Sequence, residues 1–197
     1  RYVREYLEYS PDFPVIIYID ESGFSLSMRR SFGRSAVGTR ANLRVKTIRS
    51  KNVTLIAAIS SHKVWTFKLE SGSVNQNIFS TFLEKLFDDL NTYGVRKALL
   101  IMDNVRFHKT EIIKKQVEES DHKLLFLPPY SPFLNPIEEF FHQLKSVVRN
   151  KKPSCQDELW QSIMDSPNEI SSQHLQNYCN HSKSYFTRCL NREIIEN

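Results

Sequence analysis

Leu99-Leu100-Ile101-Met102-Asp103-Asn104 is a run of bulky apolar residues that ends abruptly on a carboxylate and an amide. Because the apolar residues do not alternate with polar ones, the run predicts a strand that is buried on both faces of a sheet. Asp103 then lies at the carboxyl end of the strand, where α/β sheets usually place their functional residues. The segment therefore indicates an α/β sheet with a candidate functional carboxylate at its edge.

Two further acids extend this pattern. Val15-Ile16-Ile17-Tyr18-Ile19-Asp20 is a second apolar run that ends in aspartate. The proline-rich loop 128–136 leads into the first turn of a predicted helix, which carries Glu138 and Glu139. We expect Glu139 to face solvent or to act as a favourable charge at the helix N-terminus. Asp20, Asp103 and Glu138 predict a three-carboxylate cluster, and Mg²⁺ prefers such oxygen ligands.

The remaining patterns predict the order strand, hairpin, helix, strand, helix, strand, followed by three helices. The predicted ranges are strand 15–20, hairpin 52–60 and 64–69, helix 75–93, strand 97–103, helix 110–120, strand 123–127, helix 136–149, and helices 155–165 and 171–190. Alternation of this kind predicts an α/β fold, with a mixed sheet covered by helices on both faces.

The composition is that of an ordinary globular domain. The chain has 197 residues, of which 40% are hydrophobic, and a net charge of +5. This charge permits a polyanionic partner without requiring one. Three widely spaced cysteines without a CxxC pair argue against a zinc knuckle or a disulfide framework and favour an intracellular protein. We expect no membrane span, because no apolar run approaches about 20 residues.

A basic stretch occupies residues 25–51 and contains no acidic residue. A solvated surface would explain the charges, but the absence of acids favours contact with phosphates. The end of the helix after Glu138 is also basic. The candidate phosphate contacts are Arg29, Arg30, Arg34, Arg40, Arg44, Lys46, Lys109, Lys145 and Arg149.

Three polar residues are candidates to support the acids. Asn104 follows Asp103 directly, and His108 can orient a phosphate or a metal-bound water, unless it is only a capped loop histidine. His142 lies one helical turn after Glu138 and on the same side of the helix. The adjacent Asp88 and Asp89 are explained by a solvated helix end. No HExxH, GxSxG, P-loop or GxGxxG motif is present, which excludes the corresponding enzyme classes at the level of motifs.

Three segments together resemble the catalytic core of DDE transposases of the mariner superfamily, and the resemblance covers nearly the whole chain. The segments are residues 18–24, residues 102–104 with His108, and Leu127-Pro128-Pro129-Tyr130-Ser131-Pro132-Phe133-Leu134-Asn135-Pro136-Ile137-Glu138. The 34 residues between Asp103 and Glu138 match the spacing of the worm-type and bacterial relatives. The proline-rich block is the most specific of the three motifs.

This resemblance implies an RNase H-like fold, a mixed five-stranded sheet flanked by helices. It implies Asp20, Asp103 and Glu138 as catalytic residues that bind Mg²⁺ or Mn²⁺, with two ions in each active site. It also implies hydrolysis at transposon ends followed by transfer of the 3′-hydroxyl into target DNA. The implied partners are double-stranded DNA, with a TA target, and a second copy of the chain on DNA, but no membrane. The implied location is the nucleus of a eukaryote or the cytoplasm and nucleoid of a bacterium.

The resemblance also predicts the domain organisation. We expect residues 1–197 to form a single DDE catalytic domain with a basic loop insertion at about 25–51 and without the N-terminal DNA-binding domain of such enzymes. Phe32 and Val37 stand where many relatives have Trp and Pro. Two alternatives remain open: a domesticated, catalytically silent DNA-binding protein, and another RNase H-like nuclease such as a junction resolvase or integrase.

Overall fold

The computed structural model describes residues 1–28, 34–40, 42 and 51–195. The helices in this part of the chain are α1 (Tyr2–Tyr9), α2 (Gln76–Thr92), α3 (Glu111–Glu118), α4 (Pro136–Lys151), α5 (Gln156–Asp165), α6 (Ser172–Ser184) and α7 (Phe186–Leu190). The strands are β1 (Val15–Phe24), β2 (Val53–Ile59), β3 (Val64–Ser71), β4 (Ala98–Met102) and β5 (Lys123–Phe126). Short 3₁₀ turns lie at Arg106–Lys109, Pro132–Leu134 and Ser166–Glu169. None of the described helices is long and apolar enough to cross a bilayer.

The strands form a mixed sheet in the order β3-β2-β1-β4-β5. The hairpin β2–β3 is antiparallel and pairs with one side of β1, whereas β4 and β5 run parallel to β1 on its other side. Every residue of β4 is buried, as its unbroken apolar sequence predicts. The predicted mixed five-stranded sheet is confirmed.

Side chains from β1 enter two different cores, because successive residues of a strand point to opposite faces. Ile17 and Ile19 pack with α2 and α3, whereas Tyr18 and Phe24 pack with α1 and the C-terminal helices. Helices therefore cover both faces of the sheet, as predicted. This alternation also places Asp20 on the face of α4.

Local sequence signals explain the ends of the helices next to the site. Asn75 caps α2 by accepting a 3.0 Å hydrogen bond from the N–H of Ile78, and Gly94 follows the helix with a φ of 72°. Pro136 is the first residue of α4, where the missing N–H costs no helical hydrogen bond. The proline-rich loop therefore fixes where α4 begins.

Two predicted boundaries were wrong. The first strand does not end at Asp20 but continues to Phe24, because β2 supplies antiparallel partners as far as the pair of Phe24 with Val53. The predicted helix 171–190 is divided at Tyr185, where the N–H bonds to the carbonyl of Ser182 in a tight turn. The ring of Tyr185 there packs against Phe133, with the ring centroids 5.1 Å apart.

Candidate active site

Asp20, Asp103 and Glu138 line one open cleft of about 310 Å³. The three residues come from β1, from the end of β4 and from the first turn of α4. The proline-rich loop forms much of the remaining wall. The fold thus brings the three predicted acids to the same cavity from distant parts of the sequence.

The register of the sheet sets the two aspartates side by side. The last paired residues of the parallel strands β1 and β4 are Ile19 and Met102. Asp20 and Asp103 are the next residues on each strand, and both follow a residue that packs on the α2 face. By strand alternation, the two carboxylates are therefore directed to the same α4 face of the sheet.

Asp20 is the buried member of the cluster, with 8% of its surface exposed. Its Oδ2 accepts a 2.7 Å hydrogen bond from the side-chain amide of Asn135. Its Oδ1 accepts a 2.8 Å bond from the N–H of Glu21. Burial raises the pKa of Asp20 to about 7. The hydrogen bond from the N–H of Glu21 acts to lower this pKa, whereas the negative charges of Asp103, Glu21 and Glu138 act to raise it further.

Asp103 is half-buried and is held by its neighbours. Its Oδ1 accepts hydrogen bonds from the ring of His108 at 2.8 Å and from the N–H of Val105 at 3.2 Å. Partial burial acts to raise the pKa of Asp103, but these bonds and the nearby positive charges hold it below its usual value. Asp103 is therefore ionised more readily than Asp20.

His108 is fully buried and bridges two carboxylates. Its Nδ1 lies 2.8 Å from Asp103, and its Nε2 lies 3.0 Å from Oε1 of Glu21. Burial acts to lower the pKa of His108, but the hydrogen bonds with Asp103 and Glu21 outweigh it and raise the pKa to about 9. This raised pKa favours the doubly protonated ring, in which both nitrogens donate.

Glu138 lies on the exposed side of the cleft. Its N–H bonds to the carbonyl of Asn135, which places it in the first turn of α4. A carboxylate in the first turn of a helix is stabilised by the helix dipole.

The donor set of the cleft fits a hard divalent cation. Three carboxylates converge on an open, solvent-accessible cavity, and their mutual repulsion contributes to the raised pKa of Asp20. A cation would relieve this repulsion, since carboxylate oxygens are the preferred ligands of Mg²⁺. In the described residues, no three His, Cys, Asp or Glu side chains are already close enough together to enclose a metal ion. The acids thus share a cleft without forming a closed cage.

Residues 15–160 match the DDE superfamily endonuclease family. The chain belongs to this family. No curated protein sequence matches the chain. The resemblance found in the three sequence motifs is therefore confirmed at the level of the family.

The fold of this DDE domain is similar to that of the Mos1 transposase in several solved structures. A pre-cleavage Mos1 transpososome aligns with a TM-score of 0.81 and 15% identity, over 99% of this chain and 62% of the other. The Mos1 catalytic domain solved with Raltegravir and Mn aligns with a TM-score of 0.75 and 14% identity, over 99% of this chain and 91% of the other. The predicted RNase H-like fold is confirmed. The chain spans about three fifths of the Mos1 chains in the DNA complexes.

Asn104 and His142 occupy different positions in this DDE domain. Asn104 lines the cleft, and its amide donates a hydrogen bond to the carbonyl of Leu127, which joins the end of β4 to the proline-rich loop. His142 is exposed on α4 and is not among the residues that line the cleft. The structure thus brings Asn104 and His108 to the acids but not His142.

The predicted DNA contacts are only partly described. Arg29, Arg30, Arg44 and Lys46 lie outside the described residues. Arg34, Arg40 and Lys109 are exposed. Lys145 and Arg149 are half-buried on α4, where the Arg149 Nε donates to the carbonyl of Lys145 at 3.1 Å.

Sequence reasoning missed two side chains that support the acids: Glu21, which bonds to His108, and Asn135, which bonds to Asp20. Glu21 adjoins Asp20 in the motif, and strand alternation could have placed it on the opposite face, toward the loop that carries His108. Asn135 precedes the first residue of α4, where asparagine usually caps a helix. Its side chain makes no capping bond and reaches Asp20 instead. The sequence carries no signal that the side chain of Asn135 bonds to Asp20 instead of capping α4.

Proposed function

We propose that this chain is the catalytic domain of a metal-dependent, cut-and-paste DNA transposase. The proposed reaction hydrolyses phosphodiester bonds at transposon ends and then joins the freed 3′-hydroxyl to target DNA. The observation that carries the proposal is the convergence of Asp20, Asp103 and Glu138 on one open cleft. Membership of the DDE endonuclease family and the fold shared with Mos1 transposase support it.

Asp20, Asp103 and Glu138 would hold Mg²⁺ or Mn²⁺, and we propose two ions in each site. Such a pair, when bound, activates the attacking oxygen and stabilises the leaving oxygen of a phosphodiester. Structures of the Mos1 catalytic domain with Mn and with Mg support this choice of metals. The chain's own contribution is orientation: Asn135 holds Asp20, and His108 holds Asp103.

The proposed partner is double-stranded DNA, at both the transposon ends and the target. The Mos1 paired-end complex with a left transposon end and the Mos1 strand transfer complex support a DNA partner. The exposed Lys109 and the basic end of α4 supply charges that suit phosphates. We further propose a homodimer on DNA, a TA target, and action in the nucleus of a eukaryote or on the nucleoid of a bacterium.

A nicking assay on supercoiled plasmid tests the proposal. The protein is incubated with Mg²⁺, Mn²⁺ or EDTA, beside the variants Asp20→Ala, Asp103→Ala and Glu138→Ala. We expect nicking that requires metal and that each substitution abolishes, while circular dichroism shows an unchanged fold. Asp88→Ala is the matched control, because Asp88 is an exposed acid on α2 outside the cleft. We expect this variant to nick at the wild-type rate.

The assay also separates the alternatives. DNA binding without metal-dependent nicking would contradict the proposed activity and favour a catalytically silent DNA-binding protein. Nicking that survives one of the three substitutions would remove that acid from the proposed metal site. Preferential cleavage of four-way junctions would favour a resolvase over a transposase.

A further inference from the structure

Glu21, His108 and Asp103 form a continuous chain of hydrogen bonds beside the acid cleft. The ring of His108 lies 2.8 Å from Oδ1 of Asp103 and 3.0 Å from Oε1 of Glu21. Glu21 belongs to β1 and His108 to the 3₁₀ turn after β4. These hydrogen bonds thus connect the strand that carries Asp20 to the loop that carries Asp103.

The bridging ring has little freedom to move. None of the surface of His108 is exposed. Its ring centroid lies 4.2 Å from that of Phe79 on α2 and 4.5 Å from that of Phe107. Rotation of a ring packed in this way would create a void or a clash, which close-packed interiors resist. The ring of His108 is therefore held in a fixed position between the two carboxylates.

Glu21 fixes the ring from the side opposite Asp103. The two ring nitrogens lie on different edges of the imidazole, and each faces one carboxylate oxygen. A contact at only one nitrogen would leave the ring free to tilt about that contact, whereas two contacts fix both its position and its tilt. Glu21 therefore holds His108 in the place from which it reaches Asp103.

The two carboxylate oxygens of Asp103 differ in their hydrogen bonds. Oδ1 accepts from His108 and from the N–H of Val105. Oδ2 has no hydrogen-bond partner among the residues that the structure describes. A carboxylate held through one oxygen has a fixed plane, and its second oxygen stays available to a ligand in the cleft.

We propose that Glu21 and His108 are positioning residues, which hold the Asp103 carboxylate with Oδ1 occupied and Oδ2 available for the divalent cation. The inference rests on the proposed function, because it assigns a role toward the metal that the acids would bind. Glu21 does not itself line the cleft, so it acts through His108 and Asp103. Hydrogen-bond partners of metal ligands commonly set the orientation and basicity of those ligands.

The test measures Mn²⁺ binding to the metal-free protein, by the electron paramagnetic resonance signal of free Mn²⁺. Glu21→Ala removes the acceptor for His108, and we expect it to weaken Mn²⁺ binding by about 10- to 100-fold. Glu21→Gln removes the same charge but keeps a side-chain oxygen that accepts from His108. We expect this variant to bind Mn²⁺ almost as well as the wild type.

A control and a second readout make the test specific. Glu70→Gln removes an acid that pairs with Lys68 on β3, away from the cleft, and should leave Mn²⁺ binding unchanged. Nuclear magnetic resonance of the metal-free protein should show a slowly exchanging N–H proton on Nε2 of His108 in the wild type and in Glu21→Gln. We expect the proton on Nε2 to lose this protection in Glu21→Ala. Circular dichroism checks that each variant is folded before Mn²⁺ is added.

The outcomes are distinguishable. Equal Mn²⁺ binding by the wild type and Glu21→Ala would overturn the inference and leave the proposed function intact. Equal weakening in Glu21→Ala and Glu21→Gln would assign the effect to charge rather than to positioning, and would also overturn it. A wild-type protein that binds no Mn²⁺ would contradict the proposed function itself, and the inference with it.

Discussion

The side-chain amide of Asn135 donates a 2.7 Å hydrogen bond to Oδ2 of Asp20, although 115 positions separate the two residues. Only 4% of Asn135 and 8% of Asp20 are exposed, so water has little access to this bond. The bond connects the start of α4, which carries Glu138, to the strand that carries Asp20. Two of the three acids are therefore held relative to each other through one buried amide.

Asn135→Ala should lower both stability and nicking. The substitution removes a buried hydrogen bond to a carboxylate, for which a loss of about 1–3 kcal/mol in the free energy of unfolding is expected. Urea unfolding of the metal-free protein measures this loss. Asn177→Ala is the control, because Asn177 is exposed and its side chain bonds, among the described residues, only to Gln173 on the same helix. Equal stability of Asn135→Ala and the wild type would show that the bond contributes nothing.

Asp20 should make the metal-free protein less stable as the pH rises. Its pKa is raised from 3.8 to about 7 by burial, so the folded protein binds more protons than the unfolded chain between these values. Stability is then fully present below about pH 4 and is lost as the pH rises toward about 7. Asp20→Asn should exceed the wild type in unfolding free energy by up to about 4 kcal/mol at about pH 8.

Urea titrations at several pH values check this expectation. The difference between Asp20→Asn and the wild type should shrink steadily as the pH falls toward about 4. Saturating Mg²⁺ should restore the stability of the wild type at high pH but not change that of the variant, because the cation would bind the ionised acid. A difference that is the same at every pH would contradict the assignment to Asp20.

His122 should make the protein less stable as the pH falls. Burial lowers the pKa of His122, and its Nδ1 accepts a 3.2 Å hydrogen bond from the N–H of Ala98 at the start of β4. The unfolded chain therefore binds a proton more readily than the folded protein, and stability decreases below about pH 6.5. His122→Gln should make the urea midpoint decrease less as the pH falls, since glutamine accepts the hydrogen bond from Ala98 without titrating. His62→Gln, at an exposed histidine, should leave the decrease unchanged.

Lys145 should contribute to the affinity for DNA of any base sequence. If its ammonium contacts a phosphate, Lys145→Ala should reduce the slope of log affinity against log salt by about 0.9. Fluorescence anisotropy with a random duplex at several salt concentrations measures the slope. Lys85→Ala, on the exposed side of α2, is the matched control and should keep the wild-type slope. An unchanged slope for Lys145→Ala would place the DNA elsewhere.

The elements of the fold follow from local sequence patterns. The unbroken apolar run of β4, the helical spacing of α2 and the proline at the start of α4 each correspond to an element in the structure. The end of β1 could not be predicted from such a pattern, because residues 21–24 are ordered by pairing with β2 rather than by an apolar pattern of their own. Tyr185 divides the last helix where its ring packs on Phe133, which lies far away in sequence.

The sequence by itself predicted most of the strands and helices, the family and the three acids that line the cleft, because apolar spacing, proline positions and motifs are properties of short segments. The tertiary structure alone decided which polar side chains hold those acids. Asn135 reaches Asp20 only because α4 packs on the face of β1 to which Asp20 points. His108 reaches both Glu21 and Asp103 only because β1 and β4 are paired in one register. Such contacts depend on the packing of whole elements, which no short segment encodes.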